Sequence, residues 1–330
     1  MQEAFFKRAL KIYACQLALL AFLFTVVATI GVLARQDAVT NLMSFYLENP
    51  VAAFVSGLLL VYSPPLLDIL PMYIVLMLVS PLLLLHGLHH GWLGIMVASV
   101  ALWAAAQFGL SHRLYDGVVA LTGWQLIPYR QLSAFELLAW QFLWVLGLWM
   151  GSARTADRNA PATRFPAWMV GTAIVIGAVG LVWRHAVGQA PFPGNPTLNV
   201  LFDKWRLGPL RVIDFFALLV LTMHFGPWLK QWLPRVPALE TLGSASLPVF
   251  CAHLMLALMA LAVFGSPAPE RPLWIDLAIL ATSFAALYAV AWGSLQIDIY
   301  AASMRKQVAA WRALSALPVS YTHLTLPTKA

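Results

Sequence analysis

Charge is scarce in this sequence. Asp, Glu, Lys and Arg make up 10% of the 330 residues, where a soluble domain carries roughly 25%. That shortage excludes an ordinary water-soluble globule. Cysteine is almost missing as well. Cys15 and Cys251 both lie in apolar runs, so neither a disulfide framework nor a zinc site is expected. The alternation of polar and apolar residues that marks strands is absent, and the apolar runs are continuous instead. There is no Walker motif, G-x-G-x-x-G, G-x-S-x-G or CxxC, which argues against ATPase, soluble dehydrogenase, serine-hydrolase and dithiol redox chemistry. Residues 1–13 (MQEAFFKRALKIY) lack a signal-peptide cleavage pattern and read as a short basic lead into a span.

Apolar sequence is what the chain has in abundance. Hydrophobic residues are 61% of the total, and the mean hydropathy is +0.79. Only helices or closed barrels satisfy backbone polar groups in lipid, and unbroken apolar runs select helices. The expectation is an all-α, polytopic transmembrane helix bundle of about eight spans. The expected spans are residues 9–33, 70–85, 92–110, 132–151, 165–183, 212–228, 242–264 and 273–295. Residues 51–62 (VAAFVSGLLLVY) are apolar but too short to cross, since a span needs roughly 20 residues, and read as a re-entrant or interfacial helix. Residues 111–131 read as a long loop containing Arg113, Asp116, Trp124 and Arg130, and 304–312 as a basic surface helix.

The formal net charge of +7 does not signal nucleic acid, because the basic residues are scattered at span ends rather than clustered. They read as topology determinants. If the N-terminus is cytoplasmic, Arg154, Arg158, Lys230, Arg305, Arg312 and Lys329 share its side, and the 20 Lys and Arg divide twelve to eight in favour of that orientation. The exception is the 184–211 loop, which places four basic residues on the other face. Three regions are expected: a single membrane domain over 1–304, a cytoplasmic basic tail over 305–317, and an unrelated tail over 318–330. That last tail resembles translated sequencing-adapter read-through and is set aside with His323.

Chemistry can reside in few places. Residues 63–81 read SPPLLDILPMYIVLMLVSP, with prolines framing an apolar run and Asp68 at its mouth. Proline is tolerated in a helix's first turn, so a helix is expected to start at Pro71 and end near His86. Asp68 has a structural reading, as N-cap of that helix, and a functional one, since an acid at the edge of lipid is a site candidate. His253 sits in SLPVFCAHLML inside the seventh span. It is either a packing histidine or a general base in the bundle core. His86, His89 and His90 form HGLHHG, a metal arrangement only if the helix continues, and Gly87 and Gly91 argue against that. No metal site is assigned. Arg8 and Lys11 share a helix face and are either an interfacial anchor or a phosphate-binding pair. Asp203, Lys204, Arg206 and Arg211 in LFDKWRLGPLRVID bring both signs beside Trp205, as a saccharide site or a plain membrane-proximal loop would. Asp214 is expected to pair with Arg211.

These stretches also carry a resemblance. FFKRALKIY leading into a span, LDILPMYIVLMLVSPLLL, LFDKWRLGPLRVIDFFALL and SLPVFCAHL occur in the order seen in OpgC proteins. Those are inner-membrane proteins linked to succinylation of osmoregulated periplasmic glucans, and they are related to the membrane acyltransferase-3 group. The resemblance covers residues 5–304. It implies two further N-terminal spans that this chain lacks, one of them bearing a histidine thought to be the key catalytic residue of the acyltransferase-3 group, so the chain as given is expected to be impaired or inactive. Residue by residue, Arg8 and Lys11 resemble the R-x-x-R feature of the acyl-donor side. Asp68, Leu70, Pro71 and Tyr73 match D-x-L-P-x-Y, and Ser246, Leu247, Pro248, Phe250 and His253 match S-L-P-x-F-x-x-H.

The implied activity is O-acyl transfer in the bacterial inner membrane. A cytoplasmic acyl-CoA, with succinyl-CoA foremost, is the donor substrate, and no bound cofactor is implied. A periplasmic glucan hydroxyl is the acceptor, His253 or a histidine outside this chain is the base, and Asp68 binds the acceptor or orients the histidine. Tyr73, Asp203, Arg206, Arg211 and Ser246 are the implied substrate-binding residues. The partners implied are the bilayer, acyl-CoA, the glucan and glucan-synthesis proteins, with no nucleic acid. The rival classes are a transporter or flippase and a non-catalytic membrane partner. Transporters show paired broken helices, and the one short broken segment, 51–65, has no counterpart in the second half.

Overall fold

The computed structural model describes residues 2–123, 127–156, 164–188, 192, 194–266 and 271–315. Trp124, Arg158, Lys329 and the 318–330 tail lie outside the described residues. Among the described residues every regular element is helical. Helix α1 (Gln2–Phe22) continues through a π-turn (Leu23–Val27) into α2 (Ala28–Leu33), and three short helices follow: α3 (Asp37–Leu42), α4 (Ser44–Glu48) and α5 (Pro50–Leu58). The π-turn displaces the backbone register. There the Phe24 carbonyl accepts from Tyr46 Oη at 3.2 Å, and the two rings stack at 3.9 Å.

Residues 59–68 are irregular, with Leu60 and Leu66 in the left-handed region. Helix α6 (Ile69–His90) then begins two residues ahead of Pro71. The proline is still in the first turn, where its missing N–H has no intrahelical partner to lose. Contrary to expectation, the helix passes through HGLHHG to Gly91. Gly87 is buried there because the Trp92 ring lies against it, and a Cβ would come within 2.6 Å of that ring. Close packing, not a helix stop, explains the glycine. The His86 and His90 rings consequently stack at 4.7 Å on successive turns.

Two helices follow where one straight span was expected. Helices α7 (Leu93–Gln107) and α8 (Leu110–Thr122) are bent by 78° at a break around Gly109, whose φ is 80°. Much of the expected 111–131 loop is therefore helix α8. Helix α9 (Leu137–Ala156) starts later than expected, after an irregular stretch. The remaining elements are α10 (Ala167–Val187), α11 (Pro196–Val200), α12 (Pro209–Trp232), α13 (Pro237–Ser244), α14 (Ser246–Phe264) and α15 (Leu273–Ser315). The expected surface helix at 304–312 is the unbroken continuation of the last span within α15.

Among the described residues six helices are long and apolar enough to cross a membrane, or up to seven if the bent pair is one span. This falls short of the eight expected. The third expected span is the bent pair, and the fourth, α9, is diluted by Gln141, Ser152, Arg154 and Thr155. The chain is a membrane protein of helical architecture.

The chain divides into two compact units. Met1–Pro234 with Leu254–Pro269 form the first, and Arg235–His253 with Glu270–Ala330 the second. In the first, α1 packs on α6, α7 on α9, α6 on α9 and α10 on α12. In the second, α13 packs on α15. A core of Ala106, Ala139, Phe142, Leu207 and Val212 joins α7, α9, α12 and the turn ahead of α12.

Candidate functional site

Asp68 precedes α6 but makes no capping hydrogen bond to it. The capping expectation fails because the carboxylate points elsewhere. Its Oδ2 accepts from the Ala134 N–H at 3.2 Å. The side chain is buried, at 2% exposure. Burial raises its carboxyl pKa above the usual range. The backbone N–H groups of Asp68, Ala134 and Ile69 and the charge of Lys204 oppose that rise without cancelling it. Nearby, the Ser63 N–H donates to the Gln131 carbonyl at 3.4 Å, so the irregular segment before α6 is tied to 131–136 at two points.

On its other flank that stretch holds the LFDKWRLGPLR turn. The Glu136 N–H donates to the Trp205 carbonyl at 3.0 Å. The same carbonyl accepts from Trp140 Nε1 at 3.0 Å, the Arg206 carbonyl from Gln107 Nε2 at 2.8 Å, and the Leu207 carbonyl from Trp103 Nε1 at 3.0 Å. Three successive carbonyls are thus held by side chains of α7 and α9. The turn closes internally through the Gly208 N–H on the Asp203 carbonyl at 2.8 Å, and the Trp205 N–H on Asp203 Oδ1 at 2.8 Å. At Gly208 a Cβ would fall 2.5 Å from the carbonyl oxygens of Val200 and Leu201, so glycine is required by close approach.

These contacts bound a cleft of about 410 Å³, lined among others by Tyr129, Ala134, Glu136, Asp203, Trp205 and Arg206. Arg206 Nε stands 3.7 Å from Glu136 Oε2. The Glu136 side chain is only 9% exposed, and its Oε1 has no hydrogen-bond partner among the described residues. Burial first, and then the Glu136 carboxylate, push the Tyr129 phenol above its ordinary value. Asp203 also lines a second cleft of about 330 Å³ with Lys204 and Arg211. Arg211 Nε donates to the Phe202 carbonyl. Among the described residues it forms no ion pair with Asp214, whose Oδ1 would meet a Cβ at Gly180 of α10 at 2.9 Å. The helix periodicity turns that carboxylate toward α10 instead.

The other expected site residues of the first unit do not line this cleft. Tyr73 packs edge-on against Trp144 at 4.9 Å in the α6–α9 seam. Arg8 and Lys11 are exposed near the start of α1. Ser246 and His253 belong to the second unit, and both are exposed. The buried stripe of α14 is Leu254, Leu258 and Ala262, and His253 lies off it.

Glu136 and the 131–136 stretch were missed because they fell within the expected fourth span. A carboxylate inside an apolar run was the available signal. Ser133-x-x-Glu136 also matches a capping box. The structure instead places the Ser133 Oγ as acceptor for the Phe135 N–H at 3.2 Å, and the helix begins only at Leu137.

The fold and cleft together define a polytopic helical membrane protein with a polar, aromatic-walled site bounded by two irregular segments. Residues 1–298 match the family described as OpgC protein, and the chain belongs to that family. Family membership points to a role in periplasmic glucan modification. No match was found among curated proteins or solved structures.

Proposed function

We propose that the protein is a membrane-bound O-acyltransferase of the bacterial inner membrane, passing an acyl group, succinyl foremost, from cytoplasmic acyl-CoA to hydroxyls of periplasmic glucans. The observation that carries this reading is family membership over 1–298, joined to a cleft whose lining suits a hydroxylated ligand. In the reaction the glucan hydroxyl oxygen attacks the thioester carbonyl. The new C–O bond forms, the C–S bond breaks, the hydroxyl proton passes to a histidine base, and the CoA sulfur leaves. The assignment of His253 as base rests on the S-L-P-x-F-x-x-H resemblance. Arg8 and Lys11 would hold the phosphates of the donor at the cytoplasmic end of α1. Asp68, with Asp203 and Arg206, would organise the acceptor, while Tyr73, Arg211 and Ser246 complete the substrate contacts carried over from the family.

The test is transfer of labelled succinate from succinyl-CoA to glucan by the protein in proteoliposomes, with any upstream spans restored. Labelled glucan supports the reading. Glucan crossing the bilayer without label would establish a transporter, and neither outcome would establish a non-catalytic partner of glucan synthesis.

A further inference from the structure

We propose that Glu136 is an acceptor-binding residue: its Oε1 takes a hydrogen bond from a saccharide hydroxyl that in turn accepts from the Arg206 guanidinium. This rests on the reading of the acceptor as a glucan. An anionic oxygen that is buried without a partner is costly, and such groups are normally hydrogen-bonded. Glu136 Oε1 is in that condition, and Glu136 itself, its side chain 9% exposed, lines the cleft. The Arg206 Nε to Oε2 separation of 3.7 Å exceeds a hydrogen bond, so charge pairs the two groups while their hydrogen-bonding capacity stays available. A hydroxyl, donor and acceptor at once, matches that combination.

The pair is also held rigid. Glu136 donates its N–H to the Trp205 carbonyl, and its own carbonyl accepts from the Ala139 and Trp140 N–H groups, each at 3.0 Å. Arg206 is fixed by Gln107 on its carbonyl. Charge decides which substrate belongs here. The cleft presents the carboxylates of Glu136 and Asp203 against the single guanidinium of Arg206. That balance repels the phosphates of acyl-CoA and the carboxylate of a succinyl group, and accepts a neutral polyol. The cleft is therefore an acceptor site and not a donor site.

The experiment titrates the full chain in nanodiscs with a glucose oligosaccharide, without acyl donor, and follows binding by calorimetry. Glu136→Gln is expected to weaken binding at least tenfold, because the amide loses the charge and, with its oxygen turned to Arg206, offers an NH2 donor where the hydroxyl needs an acceptor. Binding within twofold of wild type overturns the proposal. Glu136→Asp serves if the Gln variant does not fold. A carboxylate withdrawn by one methylene should weaken binding while leaving the thermal midpoint near wild type, and unchanged binding there also overturns it. Acyl-transfer assays on wild type and Glu136→Gln, each made with any upstream spans present as in the transfer test above, separate the two readings. Saccharide binding lost in Glu136→Gln with no transfer by wild type leaves the subsite standing and removes the transferase. Transfer with an equal saccharide KM in both proteins removes the subsite and keeps the transferase.

Discussion

The Ala134 N–H donates to Asp68 Oδ2 at 3.2 Å. This contact, with that of the Ser63 N–H on the Gln131 carbonyl, joins the segment before α6 to the segment before α9, which two residues after Ala134 holds the 203–208 turn through Glu136. Asp68 is thus bonded to Ala134, a residue of the cleft wall, and its substitution should be felt at the cleft.

Asp68→Asn tests the charge. A carboxyl raised by burial makes the folded state bind a proton that the unfolded chain releases. Stability attributable to this group is greatest below the ordinary carboxylate value and falls as pH rises through the raised, folded value. Asparagine keeps an oxygen for the Ala134 N–H and removes the titration. Thermal midpoints measured across the acid range should decline with rising pH in wild type and flatten in the variant.

Tyr62 is fully buried, and its hydroxyl has no partner among the described residues. Burial pushes its phenol up to about 12. Removing an unsatisfied polar group relieves a desolvation cost of about 1–3 kcal/mol. Tyr62→Phe should therefore raise the thermal midpoint, and a drop of several degrees would show that the hydroxyl has an unseen partner.

Gly208→Ala drives a methyl toward the Val200 and Leu201 carbonyl oxygens. Overpacking of this kind costs about 1–3 kcal/mol. The expected result is a lower midpoint and loss of saccharide binding, since the 203–208 turn carries Arg206. Equal binding in this variant would separate the turn from the site.

Trp140→Phe removes the indole donor to the Trp205 carbonyl and keeps most of the ring. A lost hydrogen bond is worth about 1 kcal/mol in stability. The saccharide KM should rise and the acyl-donor KM stay unchanged, because the contact supports only the acceptor cleft. A shift in both would indicate general unfolding.

Replacing Arg206 and Arg211 by Ala in a full-length homologue tests the basic loop directly. Glucan succinylation should fall at least tenfold, and unchanged succinylation would dissociate these residues from function. Arg206 alone should account for most of the loss, since Arg211 is engaged with the Phe202 carbonyl.

Much of the fold follows from composition. Continuous apolar runs permit only helices in lipid, so the long helices at 3–33, 69–90, 167–187, 209–232, 246–264 and 273–309 were legible as helices, while the start of the first and the ends of the second and the last ran well beyond the apolar runs. The prolines at 64, 65 and 71 marked the break before α6 for the same local reason. The D-x-L-P-x-Y and LFDKWRLGPLR stretches were recognisable as places where polar side chains interrupt the apolar runs. Their partners were not. Hydropathy cannot tell a span from a bent pair or see that residues 132–136 stay outside the helix, because those outcomes depend on what the backbone bonds to across the bundle. Nor could it place Glu136 beside Arg206, residues far apart in the chain, or turn His253 off the buried stripe of α14. Local sequence determined which segments are helical and which side chains can do chemistry. The tertiary structure decided which of them meet, because burial and hydrogen bonding are satisfied between helices rather than along them.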